Sequence, residues 1–365
     1  MDFNSMVISF IVGGLLLLSF LHLTHATNVN KKANIYFGIF LFLWSTFWLD
    51  EMIIPEEYEK NSPIIITLRI LQYLVPLTFY MSVKFYTNPR YKYSKKDIWF
   101  LIVPSIFFIL LLCKPKLNKS TFSLLYICFF MSHSLFYTVL AYIKVKKHQK
   151  NIELFASDTE SIDLRWIKYI IYSFIASALL ILGYNLFFTA DKLNIYINMY
   201  FLVVVYLVAH YSIKQKEIYP KGLSINETVI NEVSQEERNN EEKIKLVDDS
   251  ELERIQSAIL TLMEEEKPYL DNELNLLKLA EKLNITSHQL SYVLNTGFGE
   301  NFFYFINKYR VKKAEELLID SKYDHLNMIA IGYESGFNSK TAFNTTFKKM
   351  TTYTPSEYKK NRSKL

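Results

Sequence analysis

Before Lys214 the chain runs in long apolar stretches, and after it in short amphipathic ones. A helix that crosses a bilayer needs about 20 mostly apolar residues. Seven runs approach that length, at 6–24, 33–54, 63–86, 97–113, 121–143, 166–189 and 194–212. The first is nearly unbroken (MVISFIVGGLLLLSFLHLT). The fourth (DIWFLIVPSIFFILLLC) and the seventh (NIYINMYFLVVVYLVAHYS) are short and clear. Asp50, Glu51, Arg69 and Lys84 intrude on the second and third. The pattern predicts seven transmembrane helices over 1–213.

Charge in the connections orients the bundle. With the N-terminus outside, the inner connections hold Lys31 and Lys32, then Arg90, Lys92, Lys95 and Lys96, then Lys144, Lys146, Lys147 and Lys150, then Lys214, Lys216 and Lys221. The outer ones hold Lys60, the Lys114, Lys116 and Lys119 group, and Lys192. Basic residues accumulate on the cytoplasmic side of membrane proteins, and only the Lys114–Lys119 loop departs from that bias. The first run has Asp2 before it and Lys31–Lys32 after it, the reverse of a cleaved secretory signal. A multi-pass protein of the inner (cytoplasmic) membrane is expected, with its N-terminus outside and its C-terminal part in the cytoplasm.

Residues 214–250 are expected to be a linker; from Ser224 to Ser250 the composition turns acidic and Asn/Glu-rich (SINETVINEVSQEERNNEEKIKLVDDS), as in a solvated segment. Residues 251–365 then read as a series of short amphipathic helices. In LERIQSAILTLMEEEKPYL, Leu252, Ile255, Ile259 and Leu262 recur at helical spacing, and Pro268 ends the run. In LNLLKLAEKLNITSHQLSYVLNTGFG, Leu276, Leu279, Ala280 and Leu283 form one apolar face. Asn284 and Ile285 make a turn, Thr286 or Ser287 caps the next helix, and Leu290, Val293 and Leu294 point inward. That is a helix–turn–helix pattern. Ser287, His288, Gln289, Ser291, Tyr292 and Asn295 are left facing largely outward.

A second unit follows in IAIGYESGFNSKTAFNTTFKK. Ile329, Ala330 and Tyr333 belong to its supporting helix, Gly336 to the sharp turn, and Asn338 or Ser339 to the next cap. Ala342, Phe343, Phe347 and Met350 are expected on the buried face. Ser339 starts the helix, and Lys340, Thr341, Asn344, Thr345 and Lys348 lie on the other face. Short donors and acceptors mixed with ammonium groups suit base edges and phosphates. A helix of about five turns, NFFYFINKYRVKKAEELLID, joins the units. Recognition helices about 34 Å apart would meet successive major grooves on one face of a duplex.

Charge sharpens this picture only when the chain is divided. The net +5 averages two unlike halves. Residues 251–300 hold nine acids and four bases, a balance of −5, whereas residues 301–365 hold twelve bases and six acids, a balance of +6. Phosphate attraction is therefore expected from the second unit and the joining helix. Cys113 and Cys128 lie in or beside apolar runs with no zinc spacing; free buried thiols are the expected state, with a disulfide between them as the alternative. There is no GxGxxG or GxxxxGK[ST] loop and no HExxH or GxSxG motif.

The stretches LAEKLNITSHQLSYVLN, NFFYFINKYRVKKAEELL and IAIGYESGFNSKTAFNTTFKKMTTYTPSEYKK resemble the AraC/XylS-type DNA-binding domain in order and spacing over 251–361. The resemblance implies two helix–turn–helix units on a linker helix and regulation of transcription at promoters; no cofactor is expected. It places the first recognition helix at about Ser287–Asn295 and the second at about Ser339–Lys349. It also sets Arg310 at a backbone-contacting position of the linker helix. Gly336, Phe337 and Pro355 match the family's structural signature. Thr352 stands where the family usually has Gly, and Lys359 where Arg is frequent.

The whole chain is thus expected to be all-α, a seven-transmembrane-helix domain followed by a tandem helix–turn–helix domain. Its expected partners are double-stranded promoter DNA, the membrane lipid bilayer and the transcription machinery, with a small-molecule or membrane-derived signal and a second copy of the chain as further ones. Polar residues inside a membrane are functional candidates. Asp50, Arg69, Asn185 and Asn198 fall in the outer half of the bundle, where they form a ligand pocket or else snorkel and bond between helices. His133 is read as a neutral histidine bonded to a neighbouring helix, with proton sensing as the alternative. The seventh run has no lysine, which argues against a retinal Schiff base. Two other functions compete: a transporter or membrane enzyme with a regulatory DNA-binding appendage, and a passive tether between DNA and membrane.

Overall fold

The structure, a computed structural model, describes residues 3–26, 30–53, 63–187, 194–215, 218 and 247–362. Among them every regular element is helical. The chain divides into two compact units. One comprises Met1–Lys147 with Leu164–Ile218, and the other His148–Asp163 with Tyr219–Leu365. The acidic linker expected over 214–250 falls almost entirely outside the described residues.

The first unit contains α1 (Phe3–Leu23), α2 (Lys31–Ile53), α3 (Pro63–Tyr73), α4 (Val75–Thr87), α5 (Trp99–Leu112), most of α6 (Lys119–Ile152), α7 (Arg165–Phe187) and α8 (Asn194–Lys214). Each of the seven apolar runs is largely helical within the described residues. Among the described residues four stretches are long and apolar enough to cross a membrane, Phe3–Leu23, Pro63–Thr87, Lys119–Ile152 and Ile195–Lys214; Trp99–Leu112 is apolar but shorter. The run 63–86 is broken between α3 and α4 at Leu74. Pro76, in the first turn of α4, has no N–H to donate to the preceding turn, so the ladder cannot run through.

Close packing holds α1 against α2. The Ser19 hydroxyl donates to the Gly38 carbonyl at 2.8 Å. A Cβ on Gly38 would stand 2.7 Å from Leu23 Cγ and 3.1 Å from the Ser19 carbonyl oxygen, so the crossing needs glycine there. Small residues allow this approach between apolar helices. An aromatic cluster continues inward, with Phe40 between Trp44 and Phe79 at centroid separations of 5.5 and 5.0 Å. The outward faces are apolar as well: Leu17, Phe20, Trp99, Leu101, Leu124, Leu135 and Leu179 are each more than half exposed. Both cysteines are free; Cys128 is exposed rather than buried as expected, because it lies on one of these outward faces.

The second unit contains α9 (Asp249–Glu265), α10 (Leu276–Lys282), α11 (Ser287–Gly297), α12 (Phe302–Ile319), α13 (Met328–Glu334), α14 (Lys340–Thr351) and α15 (Pro355–Arg362). Side chains set most of the helix starts. Asp248, Asn275, Asn301, Asn327 and Ser339 each accept a hydrogen bond from a backbone N–H of the first turn they precede. Thr286 and Gln289 form a reciprocal capping box at α11. Between the two open choices of cap, the residues are Thr286 and Ser339. The core around α12 joins Val311, Ala314, Leu317 and Leu318 to Ile331, Phe337, Phe343 and Phe347 of the second helix–turn–helix unit.

Gly336 and Thr352 are left-handed in this unit for different reasons. Gly336 has φ +88°, and a Cβ there would lie 2.3 Å from the Tyr269 carbonyl oxygen, so no other residue fits. Thr352 ends α14 at φ +68°, a conformation that a β-branched residue adopts only with strain. Thr352→Gly is therefore expected to stabilise the unit by about 1 kcal/mol, less the extra freedom glycine gains in the unfolded chain. Denaturant unfolding followed by hydrogen exchange in α14 would measure it; an unchanged or lowered stability would refute the strain.

The second unit also takes in residues from the middle of the chain. His148–Asp163, the last turn of α6 with the connection to α7, packs with the C-terminal helices, a grouping that residue order does not show. Ala156 forms an isolated antiparallel bridge with Asn275. The Phe155 carbonyl accepts from Leu276 N–H at 3.0 Å, and the Glu153 carbonyl from Phe303 N–H at 3.0 Å. Ser157 Oγ donates to the Leu274 carbonyl at 2.6 Å. Ile152, Phe155, Ala156 and Ser157 are all buried.

Candidate nucleic-acid interface

The two units of the tandem are built alike. In each, a helix of seven residues (α10, α13) leads through a tight turn to a longer helix (α11, α14) that opens on a hydroxyl cap. Asn284, φ +53°, makes the first turn, and Gly336 the second. Asn and Gly are the residue types that reach this conformation at least cost.

On α14 the apolar stripe is Phe343 and Phe347, with Thr346 buried beside them. Lys340, Thr341, Thr345 and Lys348 are exposed, and Asn344 is half-buried. This helix thus presents two ammonium groups and short polar side chains along one solvent face. On α11, Ser287, His288, Gln289 and Tyr292 are half-buried. Gln289 Oε1 accepts from the backbone N–H and the hydroxyl of Thr286 at 3.0 and 2.9 Å, so half of its amide serves the cap.

Two expected contact residues lie elsewhere. Ser291 is buried rather than outward-facing. It follows Leu290 and sits one turn before Leu294, so it falls within the buried arc of α11, and Asn295 Nδ2 donates to its carbonyl at 2.9 Å. Arg310 is also buried, at 1% exposure, rather than presented on the surface. Its Nε donates to the Tyr269 carbonyl at 2.7 Å and its Nη2 to the Asp271 carbonyl at 2.8 Å. Nη1 lies 3.5 Å from the Ser157 carbonyl. The backbone it serves is the protein's own. Burial lowers its pKa to about 10, with Asp158 and Asp271 opposing that shift, so it stays cationic at neutral pH.

The structure adds residues that local reading missed. Lys349 Nζ donates to Glu153 Oε1 at 2.9 Å and stands 4.6 Å from the Tyr304 ring centroid. Burial opposes its charge, but hydrogen bonds to Tyr304 and Glu153 outweigh this and raise its pKa. At the opposite end of α14, the Ser339 hydroxyl meets Glu160, and the Asn338 amide meets Asp158.

In the first unit, Asn198 is buried. Its Oδ1 accepts from the Trp48 indole at 2.9 Å, and its Nδ2 donates to Asn4 at 2.9 Å. Arg69 Nη1 donates to Gln72 Oε1 at 2.7 Å, and Gln72 Nε2 to the Thr46 carbonyl at 3.2 Å. The side chains of Asp50 and Asn185 fall outside the described residues. His133 stacks on Tyr73, centroids 4.0 Å apart.

Residues 279–361 match the family model described as a helix-turn-helix domain. The two capped helix–turn–helix units on one linker helix agree with that match, which supports a DNA-binding role for this region. No curated protein and no solved structure matches the chain.

Proposed function

We propose that this chain is a multi-pass regulator of the cytoplasmic membrane, which couples a signal received by its helical bundle to sequence-specific binding of promoter DNA. The observation that carries the reading is the linkage, in one polypeptide, of a tandem helix–turn–helix unit to helices with apolar outward faces. An exposed apolar surface of this extent calls for lipid or a protein partner. Seven crossings with the N-terminus outside put the C-terminal unit and the α6–α7 connection on the same, cytoplasmic side. Their packing into one unit supports that topology. In the bundle, Arg69 with Gln72, and Asn198 with Trp48 and Asn4, are the polar groups through which a signal would act.

Genome-wide occupancy of the tagged full-length protein, with membrane fractionation alongside, tests the reading. A few sharp promoter peaks from protein retained in the membrane are expected. Diffuse occupancy, or peaks arising only from a soluble fragment, would refute tethered regulation.

A further inference from the structure

The α6–α7 connection carries three carboxylates that meet the second recognition helix. Glu153 pairs with Lys349 near the C-terminal end of α14. Asp158 and Glu160 meet Asn338 and the capping residue Ser339 at its N-terminal end. The N-terminal residues of a recognition helix are the ones that enter the major groove. Ammonium, hydroxyl and amide groups are also the usual donors to phosphate. Acidic groups therefore hold donors at both ends of the helix that DNA would approach.

The same segment is fastened to the rest of the domain. Its backbone bonds to Leu276 at the start of α10 and to Phe303 at the start of α12. Asn307 Nδ2 donates to the Ser157 carbonyl at 2.9 Å. With Arg310 on the same carbonyl, the segment touches both helix–turn–helix units and the helix between them. A loop serving only as a connection has no need for carboxylates placed at both ends of α14.

We propose that residues 153–160 form an intramolecular gate that competes with DNA for the second recognition helix. The proposal rests on the DNA-binding reading above and assigns that site its regulation. DNA phosphates and the three carboxylates cannot share the same donors, and like charges repel. The gate is the covalent link between α6 and α7, so a change in the spacing of those two helices pulls on it directly. The bundle thereby has a route to the DNA site that does not pass through the 219–246 stretch.

The test uses full-length protein in lipid nanodiscs, with a fluorescent 40-base-pair duplex of random sequence as probe. The triple variant Glu153→Gln, Asp158→Asn, Glu160→Gln keeps side-chain size and removes the charges. It is expected to bind about tenfold more tightly than the parent. A charge-matched control, Glu253→Gln, Glu264→Gln, Glu265→Gln on α9, is expected to gain much less, which separates release of the gate from a general rise in net charge. In the parent, adding duplex should speed amide hydrogen exchange across 154–160. Equal gains in the two triple variants, or unchanged or slowed exchange in the segment, would overturn the gate while leaving DNA binding intact. If neither parent nor variants bind duplex, the DNA-binding reading falls and the gate with it.

Discussion

Arg310→Met is expected to destabilise the DNA-binding unit by about 3–5 kcal/mol, the range for removing one partner from a buried charged network. Methionine fills similar space but leaves the carbonyls of Tyr269 and Asp271 without the donors they have now. Each orphaned buried acceptor costs about 1–3 kcal/mol. Lysine would not restore the site, since one ammonium cannot reproduce the planar fork that reaches three carbonyls. Arg310 also lies under the second turn, its guanidinium carbon 5.8 Å from the Phe337 ring centroid. A Cβ on Gly336 would stand 3.2 Å from its Nε. The residue therefore sets how the segment before α10, the linker helix and the second turn meet. Urea titration with hydrogen exchange read in α12 and α14 would measure the loss. A change below about 1 kcal/mol, the scale of an ordinary surface substitution, would show that the carbonyls find other partners.

Local chemistry explains which features were legible in the sequence. A cap needs a hydroxyl or amide within a residue or two of the helix start, so each cap could be narrowed to a pair, Thr286 or Ser287 and Asn338 or Ser339; the choice of Thr286 with Gln289, and of Ser339, came from the structure. Gly336 was legible because few residues tolerate that turn. The apolar runs announced their helices through length alone. Features that depend on distant partners were not legible. Arg310 has the charge of a phosphate contact, and only the Tyr269 and Asp271 carbonyls, 41 and 39 residues away, reveal that it is interior. Ser291 is small and polar on a helix that needed a small residue within its packed arc. The carboxylates of 153–160 look like ordinary loop solvation, because their partners on α14 and just before it lie 179 to 196 residues later. Thr352 is intermediate: its left-handed backbone is what the family's usual glycine at that position implies.

Replacing Lys340 and Lys348 together by Ala is expected to weaken binding to any duplex by about 50- to 100-fold at 0.1 M salt. The magnitude comes from counterion release, in which each phosphate neutralised contributes a slope of about 0.9 in log K against log salt. Without these two ammonium groups the slope should therefore flatten by about 1.8, worth nearly two decades of affinity between 0.1 M and 1 M. Both lysines are exposed on the solvent face of α14, away from Phe343 and Phe347, so the fold should survive, and the hydrogen-exchange pattern of α14 would verify that. The loss should be similar for promoter and random sequences, because phosphate contacts position a protein without reading bases. A Thr341→Ala or Asn344→Ala variant should behave in the opposite way, leaving the salt slope unchanged and narrowing the gap between promoter and random DNA. If the double lysine variant kept the parent slope, the basic face of α14 would not be meeting phosphates, and attraction would have to come from Lys308, Lys312 and Lys313 on the linker helix. Lys349 does not belong in the pair. Its ammonium is already committed to Glu153, so its removal would weaken the gate and the DNA contact together and blur the slope that distinguishes them.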